Sequence, residues 1–281
     1  MITIAVLTIG EAARRRVLWV LVGLAVVAVA LTTWGADRLV ALLHEQGQPE
    51  IQVKLVISQV LIFIAFQFTF VLAMTAAFLG SPAIASDIES GVAQALLARP
   101  LRRSAYLLGR WLGLAAVVVA YAAGSALLAL AAVAWVSGYT PPSLVSPVAY
   151  LAFQAIVLMT LAILLSTRLS PIAGGAICVV AYGLSWMSGV LGDIGAALGA
   201  SGVAAIGDVG RVLLPTDGLW RGVVYGLEPG ILVGALGGQP VARANPFFAA
   251  EPPHPLFVAW AVAWVALILL IAIGQLRRRE L

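Results

Sequence analysis

The sequence predicts an all-α integral membrane protein with six transmembrane helices, and three observations lead to that fold. Hydrophobic residues make up 62% of the 281 residues and charged residues only 10%, whereas a soluble domain carries about 25% charged residues. The mean hydropathy is +1.06. The apolar residues form uncharged stretches that reach the roughly 20 residues needed to cross a bilayer. The chain is therefore expected to form a single transmembrane domain over residues 1–281.

The first segment, residues 1–16, predicts a short interfacial helix. Apolar residues from Ile2 to Ala13 recur near helical spacing, and three arginines close the segment. Residues 17–36 then form the first predicted span. A signal peptide is the alternative, because arginines before an apolar stretch and the triplet Ala28-Val29-Ala30 resemble one. We favour the span, since removing this helix would disturb the topology described below.

The other predicted spans are separated by polar or helix-breaking segments. The longest uncharged run, residues 111–167, is too long for one crossing. Gly138 and the paired prolines Pro141 and Pro142 cannot continue a helix, so they divide this run into a hairpin. The predicted spans are residues 17–36, 55–79, 106–136, 147–167, 171–191 and 256–276, with a loop at 80–104 and an outer region at 192–255.

The distribution of basic residues predicts that both termini lie in the cytosol. With six spans, the side that carries both termini holds eleven basic residues and the other side five, as the positive-inside rule requires. The eleven are Arg14, Arg15, Arg16, Arg99, Arg102, Arg103, Arg110, Arg168, Arg277, Arg278 and Arg279. The five are Arg38, Lys54, Arg211, Arg221 and Arg243. The expected location is the cytoplasmic or inner cell membrane.

The outer region, residues 192–255, does not predict a clean span. It is rich in glycine and proline, and six glycines recur every four residues from Gly218 to Gly238. Small residues at this spacing allow close helix approach, but a spacing of four drifts by about 40° per step, so they cannot form one straight face. We expect short re-entrant or interfacial helices, whose irregular backbone is buried in protein or lines a cavity.

The sequence argues against several kinds of chemistry. It contains no phosphate-binding loop, because its only lysine, Lys54, follows Val53 and cannot complete one. His44 and His254 both lie in predicted outer segments, and Cys178 is the only cysteine, so no catalytic residue and no metal ligand is assigned. The basic residues end apolar runs and form no basic face, which favours topology signals over nucleic-acid binding.

Polar residues within the predicted spans are few and uncharged. No Asp, Glu, Lys or Arg lies well inside a span, which disfavours an ion-coupled carrier. Gln59, Gln67 and Thr75 on the second span lie eight residues apart, close enough in angle to line part of a pathway. Gln154 on the fourth span is the other candidate. The alternative is that these side chains form hydrogen bonds between helices.

Residues 86–100 are the most informative polar segment. Ser86 and Glu89 form the S-x-x-E pattern of a capping box, and apolar residues follow at helical spacing from Ile88 to Leu96. Pro100 disfavours helical geometry at the preceding residue and ends the helix. The segment therefore predicts a short amphipathic helix across the cytosolic face. It is either a membrane-surface helix without a partner or a lever that fits a groove on a soluble partner.

The same segment resembles ABC-2 type transporter permeases, and most closely their NosY-like branch. The resemblance is carried by SDIESG at residues 86–91, LLARPLRR at 96–103 and YLLGR at 106–110. PTDGLWR at 215–221 and RREL at 278–281 also look like that group, as does the order of the interfacial helix and the spans. The resemblance covers nearly the whole chain.

The resemblance implies a permease that pairs with a second copy of itself or with a related permease. It implies two cytosolic ABC ATPase subunits, which would hold the ATP and Mg, while this chain binds no cofactor. The loop helix, from Asp87 to Ala98, would be the coupling helix, with Asp87 and Glu89 facing basic groups of the ATPase and Gly91 allowing close approach. Arg103 and Arg110 would fix the loop at the lipid headgroups. The implied ATPase-coupling residues are Asp87, Glu89, Gly91, Leu96, Leu97, Pro100 and Arg103.

The expected function is therefore export of a substrate, driven by ATP hydrolysis on a partner chain. An ABC membrane subunit that transmits force without moving a substrate is an alternative within the same family. A secondary transporter or channel, and a membrane-embedded enzyme or scaffold, are the alternatives outside it. Co-purification with an ATPase distinguishes the family from the last two classes.

Overall fold

The computed structural model describes the chain apart from residues 15, 98–101, 237, 240, 241, 243, 280 and 281, and apart from the side chains of residues 17 and 95–97. The described residues form helices and no strands, as predicted. The helices are α1 (Ile2–Arg14), α2 (Arg16–Glu45), α3 (Glu50–Gly80), α4 (Pro82–Glu89), α5 (Val92–Leu97), α6 (Arg103–Ser137), α7 (Val145–Ser166), α8 (Pro171–Ala197), α9 (Ser201–Leu213), α10 (Thr216–Leu227), α11 (Gly230–Leu236) and α12 (Pro255–Arg277).

Six of the described helices are long and apolar enough to cross a membrane: α2, α3, α6, α7, α8 and α12. This confirms the predicted fold class. The helices extend beyond the apolar stretches; α2, for example, continues past Asp37 and Arg38 to Glu45. The reason is that charged side chains end an apolar stretch without breaking the backbone hydrogen bonds of a helix, which continue into the headgroup region and water.

The start of α1, the end of α12 and the segment α4–α5 lie at one end of the bundle, which we call the terminal end. There, α1 packs closely on α6, because Gly109 and Gly113 of α6 leave no room for a side chain. A Cβ at Gly109 would lie 2.7 Å from the Cβ of Ile4, and one at Gly113 would lie 2.6 Å from the carbonyl oxygen of Ala5. The turns after α2, α6 and α8 lie at the other end, which we call the opposite end.

The bundle is centred on α7, which contacts α3, α6, α8, α10 and α12. Its inward residues, among them Leu158, Met159 and Ile163, are fully buried. Two hydrogen bonds between neighbouring spans satisfy polar side chains that cannot reach water in this core. The indole of Trp111 donates to Thr160 over 2.9 Å, and the hydroxyls of Thr69 and Tyr182 lie 2.7 Å apart.

Helices α9 and α10 form a hairpin that folds back along the bundle, and we call it the re-entrant hairpin. After the turn at the opposite end, α9 runs back along α8, and the two backbones almost touch at Gly192 and Gly207. The tip of the hairpin is held by Ser185, whose hydroxyl donates to the carbonyl oxygen of Leu214 over 2.8 Å. Ser185 lies roughly 20 Å along α8 from its first residue, at 1.5 Å rise per residue, so the tip reaches the middle of the span.

The glycines that recur every four residues fall into two groups. Gly218, Gly222 and Gly226 lie in α10 and let it approach the spans. A Cβ at these positions would meet the ring of Phe257, the ring of Tyr150 and the proline ring of Pro147, respectively. Gly230 and Gly234 lie in α11, where a Cβ would meet no described atom within 4 Å. Only the first half of the series therefore serves packing.

Residues 244–254, which we call the strap, cover α10 at the opposite end without forming a long helix. Three hydrogen bonds hold them. The indole of Trp220 donates to the carbonyl oxygen of Pro246 over 2.9 Å, and Arg221 donates to that of Phe248 over 3.2 Å. The backbone N–H of Ala249 donates to Oε2 of Glu228 over 3.1 Å. The strap is thus fixed to one face of α10.

Glu228 makes the stability of this contact depend on pH. Burial raises the pKa of Glu228 to about 7 from its ordinary value of 4.5, although the Ala249 N–H and the charge of Arg221 oppose the rise. The folded state then holds a proton that the unfolded state has released, so the free energy of unfolding falls as pH rises from 4.5 through 7. We expect Glu228→Gln to flatten this dependence and to stabilise the protein above pH 7 by on the order of 1 kcal/mol.

Thermal unfolding in detergent between pH 4 and pH 8.5 measures this effect. The exposed Glu251 of the strap provides the control, because Glu251→Gln makes the same chemical change outside the buried contact. If the stability of wild type and of Glu228→Gln depended equally on pH, Glu228 would not be the group that causes the dependence.

Candidate coupling site at the terminal end

The segment between α3 and α6 is a pair of short helices and not the single helix expected from Asp87 to Ala98. α4 begins at Pro82, whose fixed φ suits the first position of a helix. α4 ends at Glu89, and Gly91 then adopts a positive φ of 76° before α5 begins. The left-handed conformation of Gly91 interrupts the helix, which explains why one continuous helix does not form.

The predicted capping box at Ser86 and Glu89 is wrong. Ser86 lies within α4, and its hydroxyl donates to the carbonyl oxygen of Pro82, one turn earlier. Proline at the helix start fixes the beginning of α4 four residues before Ser86, so Ser86 has no free backbone N–H groups to cap.

The turn between α4 and α5 forms an exposed knuckle of residues 89–94. Glu89, Ser90, Val92 and Gln94 are exposed, and a Cβ at Gly91 would meet no described atom within 4 Å. In contrast, Ala93 is buried and anchors the start of α5. Glu89 and Gly91, both expected to meet a partner, thus lie where a partner can reach them.

Asp87 lies on the inner side of the same turn. It is only 7% exposed, and its Oδ2 accepts hydrogen bonds from the hydroxyl of Tyr106 and the guanidinium of Arg110. This differs from the expectation that Asp87 faces basic groups of a partner. In the structure its basic partner is Arg110 of the same chain.

Arg110 connects three elements at the terminal end. It lies on α6, is 9% exposed, and pairs with Glu11 of α1 as well as with Asp87 of α4. We call Glu11, Asp87, Tyr106 and Arg110 the ionic cluster. Arg110 was expected to contact the headgroups, whereas in the structure two carboxylates from outside α6 neutralise its charge. A buried ion pair of this kind becomes costly when one partner is removed.

Arg103, also expected at the headgroups, instead caps the last span. One terminal nitrogen of its guanidinium donates to the carbonyl oxygens of Leu276, Arg277 and Arg279, over 2.9, 3.0 and 2.7 Å. The last carbonyls of a helix have no partner within it, and a cation at this end also interacts favourably with the helix dipole. Arg103 thus joins the start of α6 to the end of α12.

Three of the expected coupling residues fall on the part of the segment that is not described. Pro100 lies outside the described residues, and so do the side chains of Leu96 and Leu97. Their role in coupling stays a prediction. The described residues contain no cluster of three metal-ligating side chains.

The four polar residues considered as pathway candidates do not share one surface. Thr75 is buried and donates to the carbonyl oxygen of Val71 in its own helix, over 2.8 Å. Gln154 is buried, and its amide donates to the carbonyl oxygen of Thr216 at the hairpin tip over 3.0 Å. Gln59 is partly buried, whereas Gln67 is exposed on the outside of α3. Gln154 therefore serves packing between elements, and only Gln67 presents an amide to the exterior.

Sequence reasoning missed both the ionic cluster and the hydrogen bonds of the hairpin tip. Glu11, Asp87 and Arg110 come from three separate elements, so their spacing along the chain carries no signal for their contact. One usable signal was that Glu11 and Arg110 are charged residues within apolar helical segments, where an unpaired charge is expensive.

The comparisons with known proteins agree with this architecture. The chain matches the family described as ABC-2 family transporter protein over residues 2–205, from α1 into α9. This is more than half of the chain and includes the knuckle and the ionic cluster. No curated protein matches it significantly. Members of the family are membrane subunits that are not themselves catalytic and in general work with an ABC ATPase. The chain, a multi-pass membrane protein, therefore belongs to the ABC-2 family of transporter proteins.

Proposed function

We propose that this chain is the permease subunit of an ABC exporter of the NosY-like branch, and that separate ATPase subunits drive it by ATP hydrolysis. The observation that carries the proposal is the exposed knuckle, which holds the last three residues of the motif SDIESG and adjoins the buried ionic cluster. Such a surface is accessible to a partner and is rigidly connected to the spans. It has the properties of a coupling helix.

The connection provides a path for mechanical coupling. A displacement of the knuckle by an ATPase moves Asp87, and Asp87 is bonded to α6 through both Tyr106 and Arg110. Through Glu11 the same movement reaches α1. Three elements at the terminal end would thus move together when the partner closes on ATP. ATP and Mg would be held by the partner.

In this proposal the terminal end lies in the cytosol of a cell with the chain in its cytoplasmic membrane. The positive-inside distribution supports this orientation, since the terminal end carries most of the arginines. Two copies of the permease would pair with two ATPase subunits.

The exposed face of α3 supports the pairing of two copies. Phe63, Gln67, Phe70 and Met74 are exposed along one side of this span. An amide in contact with lipid lacks hydrogen-bond partners, and glutamine in membranes is commonly satisfied by a neighbouring helix. We expect a second copy to cover Gln67, with the pathway beside it.

Cross-linking tests this pairing. In a Cys178→Ala background, Gln67→Cys is expected to form a cross-linked dimer with a short bismaleimide in membranes. Thr75→Cys is the matched control on the same helix, because Thr75 is buried and should not react. Absence of a Gln67→Cys dimer, with the thiol accessible to a monofunctional maleimide, would contradict the pairing through this face.

Affinity purification from native membranes in mild detergent tests the proposed function. We expect an ABC ATPase to co-purify in stoichiometric amount and to hydrolyse ATP. A folded, monodisperse chain that brings down no nucleotide-binding protein would overturn the proposal in favour of a channel, a secondary carrier or a scaffold.

A further inference from the structure

An open cavity of about 400 Å³ lies at the opposite end of the bundle, far from the knuckle. The end of α8, the re-entrant hairpin, the strap and the start of α12 form its walls. The residues that define its chemistry are Asp193, Arg211, Arg221, Phe248, Glu251 and Phe257. Its volume lies within the range of sites for small organic molecules.

The walls of this cavity are fixed before any ligand binds. The hairpin tip is held by Ser185 and Gln154, and the indole of Trp264 donates to the carbonyl oxygen of Leu213 over 2.9 Å. The strap is held to α10 by the three hydrogen bonds described above. A cavity with rigid walls loses little conformational entropy on binding.

The two arginines of the cavity are already neutralised. Arg211 donates to Asp193 over 2.8 Å and to Asp217 over 2.9 Å. Arg221 pairs with the other oxygen of Asp193 and donates to the strap. Neither guanidinium therefore offers a free charge to an anionic ligand.

The charged residues that line the cavity are two carboxylates, Asp193 and Glu251, and two guanidinium groups, Arg211 and Arg221. Asp217, behind the lining, gives Arg211 a second acidic partner. Both arginines therefore have acidic partners without Glu251. Glu251 on the rim is exposed, and no cation pairs with it in the described part of the chain.

A buried carboxyl group, that of Glu228, lies behind the cavity wall. Glu228 is 1% exposed and contacts the wall residue Ala249 through Oε2, while its Oε1 has no hydrogen-bond partner among the described residues. The rings of Phe248 and Phe257 line the same cavity. Aromatic faces attract cations, and a negative concave surface concentrates them.

We propose that this cavity binds an organic cation with an apolar body, its charge facing Glu251 and Asp193 and its body lying against Phe248 and Phe257. Binding itself requires no ATPase. A role of such a cation as cargo rests on the proposed function, but occupancy of the cavity does not.

Equilibrium dialysis of the purified chain in nanodiscs of phosphatidylcholine tests the proposal. The probe is benzyltrimethylammonium, and benzenesulfonate is the aromatic anion for comparison. We expect saturable binding of the cation and none of the anion. Binding should weaken as the salt concentration is raised from about 50 to about 500 mM, because salt screens charges that lie near the surface.

Substitution of the rim carboxylate locates the site. Glu251→Gln should weaken binding of benzyltrimethylammonium about fivefold, and Glu251→Lys should abolish it. The matched control is Glu45→Gln, which removes an exposed carboxylate at the same end outside the cavity and should leave the affinity unchanged. Equal retention of cation and anion, or unchanged affinity in Glu251→Lys, would overturn the proposal. Neither outcome would affect co-purification with an ATPase, so the two failures are distinguishable.

Discussion

Arg110→Met is expected to destabilise the protein by about 3–5 kcal/mol, the cost of leaving one partner of a buried ion pair unpaired. The substitution removes the cation that faces Asp87, and Asp87 cannot reach water at 7% exposure. Methionine has a volume similar to that of arginine, so the loss of stability should come mainly from the lost charge and not from a new cavity. We also expect ATP hydrolysis by the partner to become independent of the permease, since α4 loses its ionic connection to α1.

Thermal unfolding in detergent measures the first effect, and two variants control it. Arg102→Met removes an exposed arginine at the same end and should change the free energy of unfolding by less than about 0.5 kcal/mol. Asp87→Leu combined with Arg110→Met removes both buried charges and should recover a large part of the loss. A double variant as unstable as the sum of the two single variants would show that the ion pair is not formed.

Gly192→Ala is expected to destabilise the protein by about 1–3 kcal/mol, although alanine is the better helix former. A Cβ at Gly192 would lie 2.5 Å from Cα and 2.9 Å from the backbone nitrogen of Gly207. These are backbone atoms, which cannot rotate away as a side chain does. The added methyl group must therefore push α9 from α8 and move the hairpin tip from Ser185.

Gly202→Ala on α9 is the matched control for this steric argument. A Cβ at Gly202 would meet no described atom within 4 Å, so the helix propensity of alanine should stabilise the protein by up to about 1 kcal/mol. The two substitutions make the same chemical change and are expected to have opposite signs in thermal unfolding. Equal effects would show that α9 does not pack on α8 as described.

The spans were predictable because their signal is local. An apolar stretch of sufficient length between charged residues identifies a membrane-crossing helix without any knowledge of its neighbours. Proline likewise indicates the start of a helix without knowledge of its neighbours, as at Pro171, where α8 begins. Ends of helices were less predictable, since α2 continues through Asp37 and Arg38 to Glu45.

The candidate site was predictable only in part, because its chemistry depends on tertiary contacts. Glu89 and Gly91 were identified from a motif, and the structure places both on an exposed turn. The same motif gave no indication that Asp87 turns inward to Arg110, or that Arg103 caps the end of α12. The capping box was wrong because Pro82 starts the helix one turn earlier. The proline and the S-x-x-E pattern indicated two different starts for the same helix.

The proposed coupling is the transmission of an ATPase partner's action through the knuckle to the spans. Its most direct test compares the ATPase that co-purifies with the wild-type chain, with Glu89→Arg and with Gly91→Arg, using Glu45→Arg at the opposite end as the control. We expect each knuckle variant to lose at least about tenfold of the bound ATPase, because reversed charge or added bulk disrupts a complementary interface. The control should retain all of it, and thermal stability should be unchanged in Glu89→Arg and Glu45→Arg. Gly91→Arg also places a side chain at the positive φ of Gly91, so its free energy of unfolding should fall by about 1–2 kcal/mol. Full retention of an active ATPase by folded Glu89→Arg and Gly91→Arg would contradict the claim.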